Sequence, residues 1–436
     1  MKKVVALLLI YIPILVIAQE NKYSDFEEYN LKNGLHVILH QDINEPNVIV
    51  GVKYHVGSKN EEAGKTGFAH FFEHLLFHGT KNIPQGEFEK VIMNAGGYIN
   101  AYTTYDVTYY YQLLPAHEYK LGLWAESERM LHPVITKEGI ARECEIVKEE
   151  KRMRYDNKPL GNAYFDMMEQ LYPFDSYGHP TVGSMNDLNT ASLADFQSFF
   201  KKWYVPNNAC LVVSGNIDIE ETKKWIEIYF KDIPKGKIDL KSEQVTVKKP
   251  INRRVDIDVE GLKKTAISVS YPLMSQSDSD ALVMHVITSM LTRNGSNSYF
   301  SNLDNDTIIS QVKAATDLWE GVGAIRITGK IKNADNDDYY VNQIENKLDS
   351  LKNNLIDELL LKKTINELES YYVDKHFHAE TFADEITKYH HLYGGADKMN
   401  DVIGQYVKIT PEDVQRVAQK YFKSENKVVI VYHPNK

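Results

Sequence analysis

Residues 195–213, DFQSFFKKWYVPNNACLVV, decide the fold, because the same pattern returns 218 residues later at 413–431 as DVQRVAQKYFKSENKVVIV. The two copies align without a gap, with five identical positions and three similar ones. In each copy an amphipathic helix pattern is followed by a short turn and an apolar run typical of a buried strand. Each copy also ends one half of the chain. Such a repeat indicates a duplicated domain, so we predict two similar domains in tandem.

The rest of the first half mixes strand and helix patterns, which predicts an α+β fold built from two homologous α/β domains. Apolar runs that alternate or continue predict strands, whereas apolar positions three and four apart predict helices. The predicted strands are 35–40, 48–56, 98–103 and 107–114, and the predicted helical regions are 66–78 and 117–156.

A polar stretch near the middle of the chain predicts a linker. Residues 234–252, PKGKIDLKSEQVTVKKPIN, are punctuated by Pro and Gly and contain no long apolar run. We therefore expect a metal-binding first domain at 19–233 and a homologous second domain at 253–436.

The first eighteen residues are expected to be a signal peptide. Lys2 and Lys3 precede an uncharged run over 4–18, which is short for a membrane span and typical of an export signal. We expect cleavage before Gln19, with a retained anchor as the alternative. The mature protein would then be periplasmic or extracellular, without stable insertion in the membrane.

The composition excludes several classes of protein. Of 436 residues, 43% are hydrophobic and 25% are charged, as in ordinary globular domains. Asp and Glu outnumber Lys and Arg by 60 to 50, and the net charge of −10 argues against a nucleic-acid partner. Cys144 and Cys210 cannot form a disulfide framework and stand in no Cys/His cluster of the sequence, so we interpret both as buried thiols.

One predicted helix carries an unusual polar face. His70, Glu73 and His74 fall opposite a complete apolar stripe. Imidazoles four residues apart can hold one metal ion from a single helical turn, and the carboxylate between them could deprotonate a water. The spacing is the inverted form of HExxH that the inverzincins use. The apolar stripe consists of Phe68, Phe71, Phe72, Leu75 and Leu76.

A zinc hydrolase needs a third protein ligand, and residues 142–150, RECEIVKEE, offer two carboxylates. Glu143 and Glu150 are seven residues apart, so both fall on one face of a helix. One could bind the metal while the other supports a ligand through a hydrogen bond. The alternative is a solvated acidic face with basic neighbours, and the spacing alone favours that alternative.

Taken together, these motifs resemble the pitrilysin/insulinase family of zinc metallopeptidases, in its short-subunit, processing-peptidase-like branch. The resemblance covers essentially the whole chain after the signal peptide, and the metal motif at 70–80 reads HFFEHLLFHGT. Glu150 follows His74 by 76 residues and matches the family's third metal ligand. Glu143 matches its supporting catalytic glutamate.

The resemblance implies a fold, a cofactor and a mechanism. Family members close two chains, or two halves of one long chain, around a chamber, so this chain would form half of a clamshell. It implies one zinc ion per chain, held by His70, His74 and Glu150, which would activate a water and polarise the scissile carbonyl. Glu73 would be the base that takes the proton of that water.

The resemblance also implies where a peptide binds. Residues 96–103, GGYINAYT, resemble the family's substrate-edge strand. An extended peptide would pair with this strand near Asn100 and Ala101 by β-augmentation. Phe77 falls on the metal side of the predicted helix and is expected to shape a substrate pocket, with simple packing as the alternative.

One departure from the family pattern predicts a partner chain. Self-sufficient members carry an Arg and a Tyr, four residues apart, after a Ser-rich turn in the second domain. Here the corresponding stretch, 294–312, places Asp306 and Ser310 at those positions, and 288–292 read TSMLT in place of the metal motif. We therefore expect a heterodimer in which a homologous second chain supplies the Arg/Tyr pair, with a homodimer as the alternative.

The sequence thus predicts an exported zinc metalloendopeptidase that hydrolyses short or unfolded peptides as the catalytic subunit of a two-chain assembly. The alternative is a catalytically silent peptide-binding or scaffold subunit of the same family. Such subunits usually lack part of the metal motif, which is complete here. Two further histidine pairs, His376/His378 and His390/His391, cannot chelate from one side of a helix, and we interpret them as surface or packing residues.

Overall fold

The computed structural model describes residues 25–173, 176–238, 252–292, 298–304, 306–331 and 337–435. It contains two mixed sheets flanked by helices, which confirms the predicted α+β class. The expected signal peptide and most of the expected linker lie outside the described residues. Within the described ranges, no helix is both long enough and apolar enough to cross a membrane.

The first sheet has six strands in the order β1-β2-β6-β3-β5-β4. Strands β2 and β6 are parallel and the other neighbours are antiparallel, and β4 forms one edge. The strands are β1 (Glu27–Asn30), β2 (His36–Gln41), β3 (Asn47–Tyr54), β4 (Tyr98–Thr103), β5 (Thr108–Pro115) and β6 (Ala209–Gly215). The helices of this half are α1 (Phe68–Leu75), α2 (Phe88–Asn94), α3 (Tyr119–Leu131), α4 (Lys137–Lys151), α5 (Ala163–Leu171), α6 (Met185–Thr190), α7 (Leu193–Trp203) and α8 (Ile219–Phe230).

The second sheet has five strands in the order β7-β11-β8-β10-β9, with β7 and β11 parallel and β9 at one edge. The strands are β7 (Arg253–Val259), β8 (Ala266–Leu273), β9 (Ile309–Leu318), β10 (Gly323–Ile331) and β11 (Val428–Pro434). The helices of this half are α9 (Ala281–Thr292), α10 (Ser301–Asp304), α11 (Asp337–Asn353), α12 (Glu358–His376), α13 (Ala379–Leu392), α14 (Val402–Tyr406) and α15 (Pro411–Tyr421).

The two sheets are duplicates. Apart from β1, the strand order of the first sheet returns in the second, with β4 and β9 as equivalent edges. The helices correspond as well, because the 218-residue offset carries α1 onto α9, α4 onto α12 and α5 onto α13. In both repeat copies a helix, a 3-10 turn and a buried strand follow one another, as predicted.

The duplicated domains exchange helices. Helix α13 packs on β3 and β6 of the first sheet, and helix α5 packs on β8 and β11 of the second. The apolar core of the second domain therefore continues into the first sheet through Ile38, Ile49 and Val212. Within the described ranges, each sheet packs one face against a helix from the other half of the chain, so the two halves share their apolar cores.

A buried ion pair crosses the same interface. The ammonium of Lys53, on β3, lies 2.6 Å from a carboxylate oxygen of Asp384, on α13, and donates to the Asp384 carbonyl at the same distance. The Tyr102 hydroxyl, on edge strand β4, donates to the same carboxylate. Burial lowers the pKa of Lys53 although the Asp384 contacts oppose this, so removing Asp384 would leave a costly unpaired ammonium.

We predict that an apolar deletion in α13 destabilises the whole chain. Phe382 is buried, and its ring packs on His40 of β2 with the ring centroids 4.1 Å apart. Phe382→Ala should lower the free energy of unfolding by about 3–5 kcal/mol in a denaturant titration, because it leaves a cavity between the domains.

The matched control is Phe377→Ala, since Phe377 lies just before α13 and is 76% exposed. It should change the free energy of unfolding by no more than about 0.5 kcal/mol. If Phe382→Ala shifted only one of two separate transitions, the domains would be shown to fold independently.

Candidate metal centre

The helix that carries the candidate ligands is shorter than predicted, and its start is fixed by two contacts. Gly67 precedes α1 with a φ of +90°, and a Cβ there would lie 2.7 Å from the Val182 carbonyl oxygen, so this position requires glycine. The buried carboxylate of Glu61 accepts from the backbone N–H groups of Gly67 and Ala69 at 2.7 and 2.8 Å. These bonds satisfy donors that a helix N-terminus otherwise leaves free.

The structure brings three of the predicted residues together. One ligand atom from each of His70, His74 and Glu150 lies within 4.8 Å of the other two. The Glu150 Oε2 atom is 3.1 Å from His74 Nε2 and 3.6 Å from His70 Nε2. Two imidazoles and a carboxylate are the donor set of many catalytic zinc sites.

The donor atoms of these three residues are better suited to bind a cation than to form hydrogen bonds with one another. The Oε2 atom of Glu150 is buried and makes no hydrogen bond to any described residue, although two imidazole nitrogens are close. Burial lowers the pKa of His70 to about 4, so its ring is neutral and can offer a lone pair. Burial opposes ionisation of Glu150, but the close contact with His74 and the ion pair with Arg154, 2.8 Å from its Oε1 atom, prevail and lower its pKa.

Glu143 holds His74 from the other side. Its Oε2 atom is 3.3 Å from His74 Nδ1, and its Oε1 atom bonds His78 Nε2. Burial alone would lower the pKa of His74, yet the close carboxylates of Glu143 and Glu150 raise it to about 9. Glu143 is therefore placed to fix the His74 ring orientation, which a ligand histidine requires.

Glu73 faces the edge of the first sheet. The hydroxyl of Thr103, at the end of β4, donates to Glu73 Oε2 at 2.6 Å. Burial raises the pKa of Glu73, and the Thr103 bond partly offsets this rise. The sequence did not single out Thr103, although the alternation of a strand places it on the same face as Ala101, two residues earlier.

A cavity of about 640 Å³ joins the histidines, Glu73 and Glu150 to edge strand β4. Asn100 and Ala101 line it, as do Ile146 and Met153, two exposed apolar residues of the Glu150 helix segment. Phe77 is absent from the described lining. It lies beyond the end of α1 and packs under the buried guanidinium of Arg129, 4.8 Å from its ring centroid.

The residues at the expected Arg/Tyr positions have local roles. Asp306 accepts from the backbone N–H of Ile308 at 2.6 Å and from the Tyr339 hydroxyl at 2.9 Å. The Ser310 hydroxyl donates to the Lys330 carbonyl at 3.4 Å. Part of the Ser-rich turn before them lies outside the described residues.

The fold also assembles a cluster that the sequence did not indicate. His36, Cys210 and His390 offer ligand atoms within 4.8 Å of one another. However, the His36 nitrogens already face Asn30 Oδ1 at 3.1 Å and Glu28 Oε2 at 3.2 Å. The His36 and His390 rings stack 3.6 Å apart at 8°, so their lone pairs run parallel and do not converge. Burial also raises the pKa of the Cys210 thiol, which disfavours the thiolate that binds metals.

A helix bearing the inverted HxxEH motif, with a downstream glutamate beside it, defines the inverzincin class of peptidases. Two family models match this chain: Insulinase (Peptidase family M16) at residues 36–183, and Peptidase M16 inactive domain at residues 190–368. The chain therefore belongs to the insulinase, or pitrilysin, family of peptidases, M16, which confirms the resemblance seen in the sequence.

Relatives and solved structures agree with this assignment. The zinc protease PqqE of Helicobacter pylori is 28% identical over 421 residues, covering 94% of this chain and 93% of that protein. The mitochondrial-processing peptidase subunit beta of Blastocladiella emersonii is 30% identical over 207 residues, covering 47% of this chain and 44% of that protein.

Among solved structures, a protease from Helicobacter pylori matches with a TM-score of 0.88 at 24% identity, covering 94% of this chain and 100% of that chain. The periplasmic protease PqqL from Escherichia coli matches with a TM-score of 0.76 at 19% identity, covering 94% of this chain but 48% of that chain. These structures establish that the fold is shared.

We predict that Glu143→Gln weakens zinc binding without abolishing it. The substitution removes the negative charge that orients His74 but leaves the three candidate ligands in place. Zinc affinity, measured by competition with a chromophoric chelator, should fall about 10–100-fold. The control is Glu145→Gln, because Glu145 lies on the same helix but is exposed, lies outside the cavity lining and pairs with Lys148 at 2.7 Å. Equal affinities for the two variants would contradict this role of Glu143.

Proposed function

We propose that this chain is a zinc-dependent endopeptidase that hydrolyses short or unfolded peptides. One observation carries the proposal: His70, His74 and Glu150 gather three donor atoms beside edge strand β4, with Glu73 between that strand and the ligands. The relatives named zinc proteases support the choice of metal. We propose one zinc ion per chain, held by these three residues.

When bound there, zinc would polarise the scissile carbonyl and make a nearby water more acidic. Glu73 is the residue placed to exchange the proton. The Thr103 hydroxyl occupies its Oε2 atom, so Oε1 is the oxygen left to accept a proton from the attacking water. Glu73 would then pass this proton to the leaving amine nitrogen, since peptide hydrolysis releases an amine that needs one.

Strand β4 is the proposed substrate platform. It pairs with β5 on one side and ends the sheet on the other, so its outer N–H and C=O groups can pair with an extended peptide. Asn100 is exposed on this edge, and Ala101 faces the cavity. Main-chain pairing next to Glu73 would bring a peptide bond to the metal site without demanding a particular sequence.

We further propose that the active form contains two chains. Asp306 and Ser310 make local bonds at the positions where self-sufficient relatives would carry the Arg/Tyr pair. The relative named as subunit beta of a processing peptidase supports a subunit role. This chain matches about half of the PqqL chain, which supports an active assembly about twice the size of this chain.

We also propose export of the mature chain. Residues 1–18 combine two lysines with an uncharged run, and the PqqL structure is described as a periplasmic protease. The competing function is a silent peptide-binding subunit, which the family model named as an inactive domain would suit. Measured peptide cleavage distinguishes a catalytic chain from a silent one.

Substituting the proposed base should separate chemistry from metal binding. Glu73→Gln keeps the side-chain shape and can still bond Thr103, but it cannot take a proton. We expect unchanged zinc content and at least about a 100-fold lower rate of cleavage of a quenched peptide pool. The control is Glu62→Gln, because Glu62 is exposed just before the same helix and pairs with Lys65, 3.2 Å away. Full cleavage by Glu73→Gln would show that another group is the base.

Mixing experiments test the two-chain proposal. The purified mature chain should cleave the peptide pool poorly alone and strongly after mixing with a homologous chain of its source organism that carries the Arg/Tyr pair. Mass photometry should show a heterodimer in the active mixture. Strong cleavage by the lone chain would refute the need for a partner, and zinc binding without cleavage in any mixture would leave the silent subunit.

A further inference from the structure

The second domain contains a cavity where the duplication places the counterpart of the metal site. The 218-residue offset maps the three candidate ligands onto Thr288, Thr292 and Leu368. All three line one cavity of about 830 Å³. Its walls include α9, α12 and edge strand β9, which are the counterparts of α1, α4 and β4. The duplication has therefore preserved the space while replacing the residues that would bind a metal.

The lining fits an organic ligand and not a metal ion. Two hydroxyls and a leucine replace two imidazoles and a carboxylate, and the described lining residues form no triad of strong donors. His285, another lining residue, is made neutral by burial, which lowers its pKa to about 4. Five tyrosines give the cavity aromatic walls and hydroxyl groups: Tyr371, Tyr372, Tyr389, Tyr393 and Tyr406. Small-molecule sites commonly combine aromatic walls, a few polar groups and a volume of about 300–1,000 Å³.

The cavity also contains a cation without a partner. Lys388, on α13, lines it, and its ammonium makes no ion pair or hydrogen bond with any residue that the structure describes. The carboxylates with the strongest influence on Lys388 are Glu385, Asp384 and Asp106. Each of these carboxylates already forms an ion pair with another lysine. Those ion pairs are Lys375–Glu385 at 2.6 Å, Lys53–Asp384 at 2.6 Å and Lys59–Asp106 at 2.9 Å.

Lys388 is therefore a fourth cation beside three occupied carboxylates. Burial alone would lower the pKa of Lys388, but these carboxylates raise it, so the ammonium stays charged. Its N–H donors line the cavity without an acceptor among the described residues, and they can therefore donate to an anionic ligand. The other charged lining residues do not meet this need. Lys398 donates to the Tyr393 carbonyl at 2.6 Å, while Asp278 and Asp401 precede α9 and α14 and form no ion pair with Lys388.

We propose that this cavity binds an organic carboxylate, with the carboxylate at Lys388 and an apolar or aromatic body against the tyrosines. A charge-assisted hydrogen bond from Lys388 would fix the acid group. The carboxylate could come from a small organic acid or from the free C-terminus of a short peptide. The binding is separate from the proposed peptidase activity, because none of the lining residues belongs to the metal centre.

Calorimetric titration of the full mature chain tests this inference. The probes are N-acetyl-phenylalanine and N-acetyl-leucyl-phenylalanine, each as the free acid and as the C-terminal amide. The measurements are repeated after chelation of zinc, so that binding of the acid at the metal centre is recognised by its loss. We expect the free acids to bind with or without zinc, and the amides to bind at least about tenfold more weakly. If the dipeptide acid binds more tightly than N-acetyl-phenylalanine, the natural ligand is the C-terminus of a peptide. If the two acids bind equally tightly, the natural ligand is a small organic acid.

Variants locate the binding. Lys388→Met should weaken binding of the free acid at least about tenfold and remove the preference over the amide, while Lys388→Arg should retain both. Lys362→Met is the control, because Lys362 is exposed on α12 and outside the cavity. Thermal unfolding of each variant verifies that it is folded. Equal binding of acid and amide, unchanged binding by a folded Lys388→Met, or no binding of any probe at millimolar concentration would overturn the proposal.

Discussion

The exchange of helices α5 and α13 is the constraint on which the rest of the structure depends. Each sheet buries one face against its own helices and the other against a helix from the opposite half of the chain. Burial of these faces supplies most of the favourable free energy of such a domain pair. The position of the candidate metal centre relative to the second domain is therefore set by core packing, and Lys53 with Asp384 adds a polar contact to the same interface.

This constraint reaches the candidate centre through strand β4. Two neighbouring residues of that strand face opposite ways: Thr103 bonds Glu73, and Tyr102 bonds Asp384 of α13. The strand that we propose as the substrate platform is thus held between the proposed base and the second domain. The same duplicated frame encloses the cavity of the second domain, where Lys388 stands on the exchanged helix itself. The two duplicated domains therefore each contain a cavity at equivalent positions, and the two cavities are lined by different functional groups.

Much of this could be predicted from the sequence. The 218-residue repeat predicted the duplication because helix, turn and buried strand each leave a local pattern, and the HxxEH spacing placed His70, Glu73 and His74 on one helix face. Helix α1 begins later than predicted because Gly67 and Glu61 fix its start, which the apolar pattern alone does not show. For Phe77 the sequence leaves a pocket role and simple packing open, and the residue lies beyond the end of α1, where it packs on Arg129. The helix exchange, the Tyr102–Asp384 bond and the His36–Cys210–His390 cluster join residues far apart in the chain, and no local pattern reports such contacts.

The central claim is that His70, His74 and Glu150 hold the metal. X-ray absorption spectroscopy at the zinc edge tests it most directly, because the spectrum distinguishes nitrogen and oxygen ligands from sulfur. We expect one zinc per chain with only nitrogen and oxygen neighbours, at about 2.0–2.2 Å, and loss of that zinc in His74→Ala. A sulfur neighbour at about 2.3 Å would require a cysteine ligand, as in the cluster of His36, Cys210 and His390, and would rule out a site made of His70, His74 and Glu150.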